Sequence, residues 1–507
     1  MTAAALSVHA LVESAAARNP EGIYAIGADS GETLTFGELR RSCLAVGAWL
    51  RAGGVGPGDT VSFVMPNGLQ TMRLLLGAMH AGVCVNPINL VAQPEQMRYV
   101  LDHSDCSLVF VAPEWEDRIR AMAAEVARPI RVVVAAPDGA GLADAEAAGS
   151  TPTPAPDPGA TALLMYTSGT TGVPKGVMLT QANLAANATA IGVEHGLGAA
   201  DRVLAVLPLY HINAFVVTML APLAHGGSLA MAPRFSAAQF WRQATASECT
   251  WLNVVPTIIS YLLEGDAPPR ESLARIRFCR SASAALPAEQ HRAFEAKFGI
   301  GIVETMGLTE TAAPAFSNPL EPALRRIGSV GRASGGEARV VDAVLDPVSD
   351  GTTGEIVIRG PHVMRGYYKN PDATVGSFTA DGWLRTGDLG HRDDDGFFFV
   401  TGRIKELIIK GGENIAPREI DDVLIGHPAV REAAAVGIPD RHYGQEIMAC
   451  VVLRPGSPCT EDELRTFCEQ RLGRYKTPKV IRFVDSLPRG PSGKVQRLKL
   501  LDSASPA

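Results

Sequence analysis

The chain is predicted to be an α/β protein, with a large N-terminal α/β domain containing parallel sheets and a small C-terminal α+β domain. Three observations carry this expectation. The 507 residues are too many for one core and suggest two or three domains. From residue 35 onward helical and strand-like stretches alternate, which is the pattern of a parallel sheet covered by helices. Near the end the alternation resumes as helix 417–426, strand 431–437, strand 446–453 and helix 461–472, a compact unit of independent size.

Composition excludes several classes of function. A hydrophobic fraction of 46% and a charged fraction of 20% are those of an ordinary globular protein. The net charge of −7 offers no broad basic face for nucleic acid. Eight scattered cysteines with no CxxC pair argue against a zinc site, a redox motif or a disulfide framework, and they fit a reduced, cytoplasmic setting. The N-terminus lacks the basic stretch and apolar core of a signal peptide. Residues 203–233 carry no Asp, Glu, Lys or Arg, but their longest uninterrupted apolar piece, 214–221, is too short to span a bilayer.

In chain order, Thr35-Phe-Gly-Glu38 is a capping box, and an amphipathic helix follows through Leu39, Leu44, Trp49 and Leu50 to Gly53-Gly54. Pro57-Gly58-Asp59 turns the chain into a strand at 61–65. Residues 70–82 read as helix, and 84–87 as a short strand leaving the sheet. The Ala-, Pro-, Gly- and Asp-rich stretch 135–160 reads as a surface excursion. Residues 203–211 read as a buried strand with a polar tip, Tyr210-His211, where α/β enzymes place ligands. Two further strand-to-loop transitions follow at 251–256 and 277–285.

The stretch that carries most chemistry is 166–176, Tyr-Thr-Ser-Gly-Thr-Thr-Gly-Val-Pro-Lys-Gly. Five hydroxyl residues, three glycines and Lys175 lie between apolar runs, which predicts a strand, a tight loop and a second strand. Glycines let amides crowd round an anion, hydroxyls add neutral donors, and the lysine adds charge. It is not a Walker A loop, because Pro174-Lys175-Gly176 stands where that motif needs Gly-Lys-Ser/Thr. Further on, Thr309-Glu310 sets a hydroxyl beside a carboxylate, suitable for Mg²⁺ on a nucleotide phosphate. Asp388, in Gly382-Trp-Leu-Arg-Thr-Gly-Asp388, offers two acceptor oxygens to a diol. Lys494 ends a Pro-x-x-x-Ser-Gly-Lys loop.

These motifs, in this order and spacing over roughly residues 10–500, resemble those of the adenylate-forming enzymes, the acyl-CoA synthetases and their relatives. The resemblance implies an N-terminal domain of residues 1–404 and a mobile C-terminal domain of 405–507, hinged at Lys405. It assigns Thr167, Ser168, Gly169, Thr170, Thr171, Gly172 and Lys175 to the phosphates of ATP. Ser283, Ala284 and Ala285 would lie flat against adenine, with Glu304, Thr305 and Met306 beside them. Met306 departs from the family's usual Tyr. Thr309 would meet phosphate, Glu310 the Mg²⁺, and Asp388 and Arg403 the nucleoside. Lys494 would be the catalytic lysine, and Gly411-Gly412 would border the pantetheine tunnel. The implied reaction joins a carboxylate to ATP as acyl-AMP with release of pyrophosphate, then transfers the acyl group to CoA. The implied partners are therefore a carboxylate, ATP and CoA.

The segments 234–241, 250–257 and 280–286 look like the branch containing oxalyl-CoA synthetases. His211, Asn213 and Ser283 would then line a small acyl pocket. Thr311-Ala-Ala313 lacks the further histidine expected of the oxalate enzymes, so another small or functionalised acid is an equal expectation. Fatty or aryl acids, a separate carrier protein in place of CoA, a luciferase-like oxygenase and a non-catalytic nucleotide-binding regulator are the alternatives. A panel of acids scored by pyrophosphate release separates the substrate classes.

Overall fold

The computed structural model describes residues 7–139, 154–167, 173–489 and 495–504, and every structural statement below concerns these described residues. Helix Phe36–Ala52 begins where the Thr35 hydroxyl accepts the Glu38 amide and the Glu38 carboxylate accepts the Thr35 amide. Its apolar stripe, Phe36, Leu39, Cys43, Val46 and Leu50, is buried. Helix Leu69–His80 packs against it with Gly77 at the contact, where a Cβ would lie 2.6 Å from Val46.

Two large sheets organise the N-terminal part. One runs, edge to edge, through Gly366–Tyr367, Lys175–Thr180, Thr161–Thr167, Cys84–Pro87, Thr60–Val64, Leu108–Val111 and Arg131–Val134. The last five strands are mutually parallel and the first two antiparallel. The other runs through Arg332–Ala333, Ala313–Ser317, Ile302–Leu308, Phe278–Ser281, Trp251–Val254, Arg202–Ala205, Ser228–Met231, Ile23–Gly27 and Thr33–Thr35. Its six strands from Ile302–Leu308 to Ile23–Gly27 are parallel. These strands read as continuous apolar runs because helices cover both faces. An antiparallel sheet of Glu337–Val341, Gly354–Arg359, Leu384–Arg392 and Phe398–Arg403 follows. No helix is long and apolar enough to cross a membrane.

Two expectations are corrected. Cys84–Pro87 does not leave the sheet: it lies inside it, between Thr60–Val64 and Thr161–Thr167, and all four residues are buried. The strand expected over 203–211 ends at Ala205, because Pro208 cannot extend a ladder. The chain then turns through His211 into a π-helix, Asn213–Leu220.

The C-terminal unit is a small α+β sheet of Glu413–Ile415, Ile408–Lys410, Gly444–Leu453, Val430–Asp440 and Val480–Phe483, with helices Pro417–Ile425 and Glu461–Lys476. It has its own core of Ile408, Ile420, Leu424, Val430, Ile447, Val451, Leu464 and Ile481. Lys410 is buried and paired with Glu446 at 2.5 Å. Its ammonium also donates to the Tyr475 carbonyl at 2.8 Å, and the Tyr475 hydroxyl donates to the Lys410 carbonyl. These contacts pin the turn Gly411-Gly412, whose φ values of +56° and +88° suit glycine. Breaking a buried pair by deleting one partner costs about 3–5 kcal/mol. Glu446→Ala is therefore expected to destabilise the C-terminal unit by about that amount in urea unfolding, and a variant as stable as the parent would contradict the role given to this pair.

Candidate functional site

The two strands that flank the glycine- and hydroxyl-rich loop are antiparallel, and Thr167 pairs with Lys175 where the loop closes. Ser168, Gly169, Thr170, Thr171 and Gly172 lie outside the described residues, as does Lys494. Lys175 holds its ammonium 4.9 Å from the centroid of the Tyr367 ring, a cation–π contact. Tyr367 is placed there by its own pairing with Val177, on the same strand as Lys175.

The Tyr367 hydroxyl donates to Glu310 Oε1 at 2.8 Å. Burial, then the charge of Glu310, pushes the phenol well above its ordinary pKa, so it remains a donor. Glu310 lies on a 3-10 turn, Thr309–Thr311, between strands Ile302–Leu308 and Ala313–Ser317. The hairpin is tight. A Cβ on Gly307 would sit 1.8 Å from the Ala313 carbonyl oxygen, and Ala312 and Ala313 have φ of +52° and +95°. The Thr311 hydroxyl accepts the Leu308 amide at 2.9 Å and donates to the Ala313 carbonyl at 2.8 Å. Buried Asn187 donates to the carbonyls of Thr311 and Pro314, both at 2.9 Å. The helix that follows the loop strands thus braces the turn that presents Glu310. Glu310 belongs to no cluster of three metal-ligating side chains. A single carboxylate suits Mg²⁺ that takes its remaining ligands from phosphate and water.

Asp388, only 3% exposed, pairs across its ladder with Arg403, Nε to Oδ1 at 2.7 Å. Burial opposes the charge on Arg403, yet Asp388, then Glu406 and Glu310, raise its pKa above the ordinary value. Arg403 therefore feels both motif carboxylates, and the structure brings Asp388, Arg403, Glu310, Tyr367 and Lys175 to one region. Ser281 pairs with Glu304 across parallel strands, which brings the small-residue turn beside the Thr305-Met306 segment. Ser283 has φ of +74°, and Ala284 and Ala285 are exposed. The Glu304 carboxylate is buried and turned to His291 Nδ1 at 3.0 Å and the Gly328 amide at 3.4 Å. Thr305 is buried, and half-buried Met306 packs on the cluster around Phe316 and Ile356.

Of the residues expected to line an acyl pocket, Asn213 is buried and donates from Nδ2 to Ser283 Oγ at 3.3 Å, so these two meet. Half-buried His211 sits two residues earlier, its ring edge-on to Tyr210 with centroids 4.8 Å apart. Exposed Lys405 lies on the short turn Ile404–Glu406. The loop that contains Lys494 has a described stem: Arg489 bridges to Val495, and the Gln496 amide donates to the Pro488 carbonyl at 2.8 Å. Arg497 ties this stem to Glu406 at 3.0 Å and to Asp421.

Sequence reading missed Tyr367, Asn187 and Arg280. Only Tyr367 left a signal, the aromatic pair in Gly366-Tyr-Tyr-Lys369 before a Pro-containing turn. Tyr367→Phe keeps the ring under Lys175 and removes the hydroxyl from Glu310. A hydrogen bond to a charged group contributes about 1.5–3 kcal/mol, so acid-dependent pyrophosphate release is expected to fall by about tenfold or more. An unchanged rate would separate Glu310's role from Tyr367.

Comparison with known proteins agrees with this geometry. Residues 12–368 match the AMP-binding enzyme family, and residues 419–494 match the AMP-binding enzyme C-terminal domain. A sulfoacetate–CoA ligase of Cupriavidus necator is 60% identical over 497 residues, covering 98% of this chain and 97% of that protein. An oxalate–CoA ligase of Arabidopsis thaliana is 36% identical over 457 residues, covering 88% of each chain. Among solved structures, ATP-bound MatB from Rhodopseudomonas palustris superposes with a TM-score of 0.91 at 32% identity, covering 98% of this chain and 99% of that one. The chain belongs to the AMP-binding enzyme family of adenylate-forming enzymes.

Proposed function

We propose that this enzyme, an AMP-forming carboxylate–CoA ligase for a small acid, acts on sulfoacetate or an acid of the same kind: short, with a second anionic group. The observation that carries this reading is the 60% identity, over nearly the whole of both chains, to a sulfoacetate–CoA ligase. The Asn213–Ser283 pair supports it: Asn213 is buried, and Ser283, which accepts from Asn213, keeps a hydroxyl proton that a polar acid could accept and a long alkyl chain could not.

The carboxylate oxygen attacks the α-phosphorus of ATP, and pyrophosphate leaves. The thiol of CoA then attacks the acyl carbon, and AMP leaves with the carbonyl-bound oxygen. A carboxylate resists nucleophiles because it is anionic and lacks a good leaving group; adenylation removes both obstacles. Glu310 would hold Mg²⁺, which supplies charge neutralisation on the phosphates. Lys175, Thr167 and Thr309, with Ser168, Gly169, Thr170, Thr171 and Gly172, bind the phosphate chain. Asp388 accepts from ribose hydroxyls while Arg403 holds it in place. Ser283, Ala284 and Ala285 with Glu304, Thr305 and Met306 border the adenine. Lys494 supplies a compact charge during adenylation. The domain boundary falls at 404/405, Lys405 is the hinge, and Gly411-Gly412 borders the CoA path. Buried free thiols suit a reducing cytoplasm.

Two tests follow. In a panel of acetate, propionate, octanoate, palmitate, benzoate, oxalate, malonate and sulfoacetate, kcat/KM for pyrophosphate release is expected to be highest for a short acid with a second anionic group. Best turnover on palmitate would overturn the substrate reading. Lys494→Ala should slow adenylation by about 3 kcal/mol, as removal of a preorganised charge does, while thioester formation from synthetic acyl-AMP persists. Equal loss in both half-reactions would contradict the hinge and the role of Lys494.

A further inference from the structure

Arg280 is 1% exposed, among the largest fully buried side chains of the protein. It stands on strand Phe278–Ser281, three residues before Ser283 and in register with Asn253. No carboxylate forms a salt bridge with its guanidinium among the described residues. Instead Nη1 donates to Asn213 Oδ1 and to Asn253 Oδ1, each at 2.7 Å. Its Nε is buried with no hydrogen-bonding partner, and so is the Oγ of the adjacent Ser281. Burial pulls the guanidinium pKa down to about 9, and no neighbouring charge offsets this. A buried cation held only by neutral amides is costly unless an anion joins it.

The network also has a direction. A guanidinium has donors and no acceptor, so both amide oxygens must face it. Asn213 Oδ1 is further occupied by Asn253 Nδ2 at 3.3 Å. The Asn213 amide nitrogen is therefore turned to Ser283, whose Oγ accepts it at 3.3 Å. A serine oxygen that accepts is left with its own proton to donate onward. The chain from Arg280 through Asn213 to Ser283 ends in a donor, in the half-buried turn beside the acyl site.

We infer that Arg280 is a positioning residue that gives the acyl pocket its preference for a second negative charge, by fixing Asn213 and Ser283 as donors and by placing an uncompensated cation behind them. This rests on the reading of the substrate as a short acid with an anionic tail. The group recognised is the tail, a sulfonate or a second carboxylate, and not the carboxylate that is activated.

The test compares two acids of nearly equal shape, sulfoacetate and methylsulfonylacetate, which differ by one negative charge. The readout is the ratio of their kcat/KM values for pyrophosphate release, with the KM for ATP measured alongside. In Arg280→Met this ratio should fall by about tenfold or more, the worth of one hydrogen bond to a charged group, at an unchanged KM for ATP. Arg280→Lys should recover part of the ratio. Asn213→Asp keeps the arginine and gives it a carboxylate partner in place; it should abolish the preference even if Arg280→Met does not fold. If both acids fall equally in Arg280→Met and the ratio survives in Asn213→Asp, the role is structural and the inference is overturned. A parent enzyme that uses both acids equally would overturn the substrate reading and this inference together. A parent preference that neither variant disturbs overturns this inference alone.

Discussion

The hydroxyl of Tyr367 and the carboxylate of Glu310 come from two different sheets, and their 2.8 Å hydrogen bond is where those sheets are joined at the site. Tyr367 adds the last strand to the edge of the sheet that carries the loop of residues 168–172. Glu310 sits in the hairpin that ends the parallel run of the other sheet. The same Tyr367 ring lies under the Lys175 ammonium, so one aromatic side chain fixes a cation and an anion relative to each other. The contact is one of donor and acceptor, and burial with the Glu310 charge raises the phenol pKa further above its ordinary value. The hairpin has little freedom to retreat, because Gly307 is closed against the Ala313 carbonyl and Asn187 ties down Thr311 and Pro314.

The charges of the site are arranged by sheet geometry. Asp388 and Arg403 face each other across one ladder position, so the Asp388 carboxylate is already held in orientation. Two parallel strands place Arg280 beside Asn253, the π-helix brings Asn213 to them, and here the excess charge is positive. An acid with a single carboxylate needs cations only where it meets the phosphates. On the proposed reading the buried guanidinium would lie at the other end, as a pocket for a short acid carrying two charges requires.

Local features were legible in the sequence. The Thr35–Glu38 capping box starts its helix as expected, and the 166–176 stretch is flanked by two paired strands as expected. The small C-terminal α+β unit also follows its apolar periodicity. What failed was length and placement. The apolar run from residue 203 looks like one strand, but Pro208 ends it early and the rest enters a π-helix, which no residue pattern announces. Cys84–Pro87 reads as a short strand leaving the sheet, yet Pro87 itself pairs with Phe63 at the strand's last position. Arg280 gives no local signal. An arginine before a small-residue turn is ordinarily solvated, and only the long-range packing of three strands reveals that this one is buried. The partners of Asp388, Glu304 and Glu310 are equally invisible to local reading, since His291, Tyr367 and Arg403 reach them through the fold.

An acyl-adenylate forms only if the carboxylate oxygen bonds to the α-phosphorus of ATP, and the fate of that oxygen reports the bond. With sulfoacetate labelled by ¹⁸O in its carboxyl group, mass spectrometry of the products after thioester formation should find one labelled oxygen in AMP and none in pyrophosphate. Label in inorganic phosphate or pyrophosphate, or unlabelled AMP beside newly formed thioester, would contradict an acyl-adenylate intermediate and with it the assignment of this site.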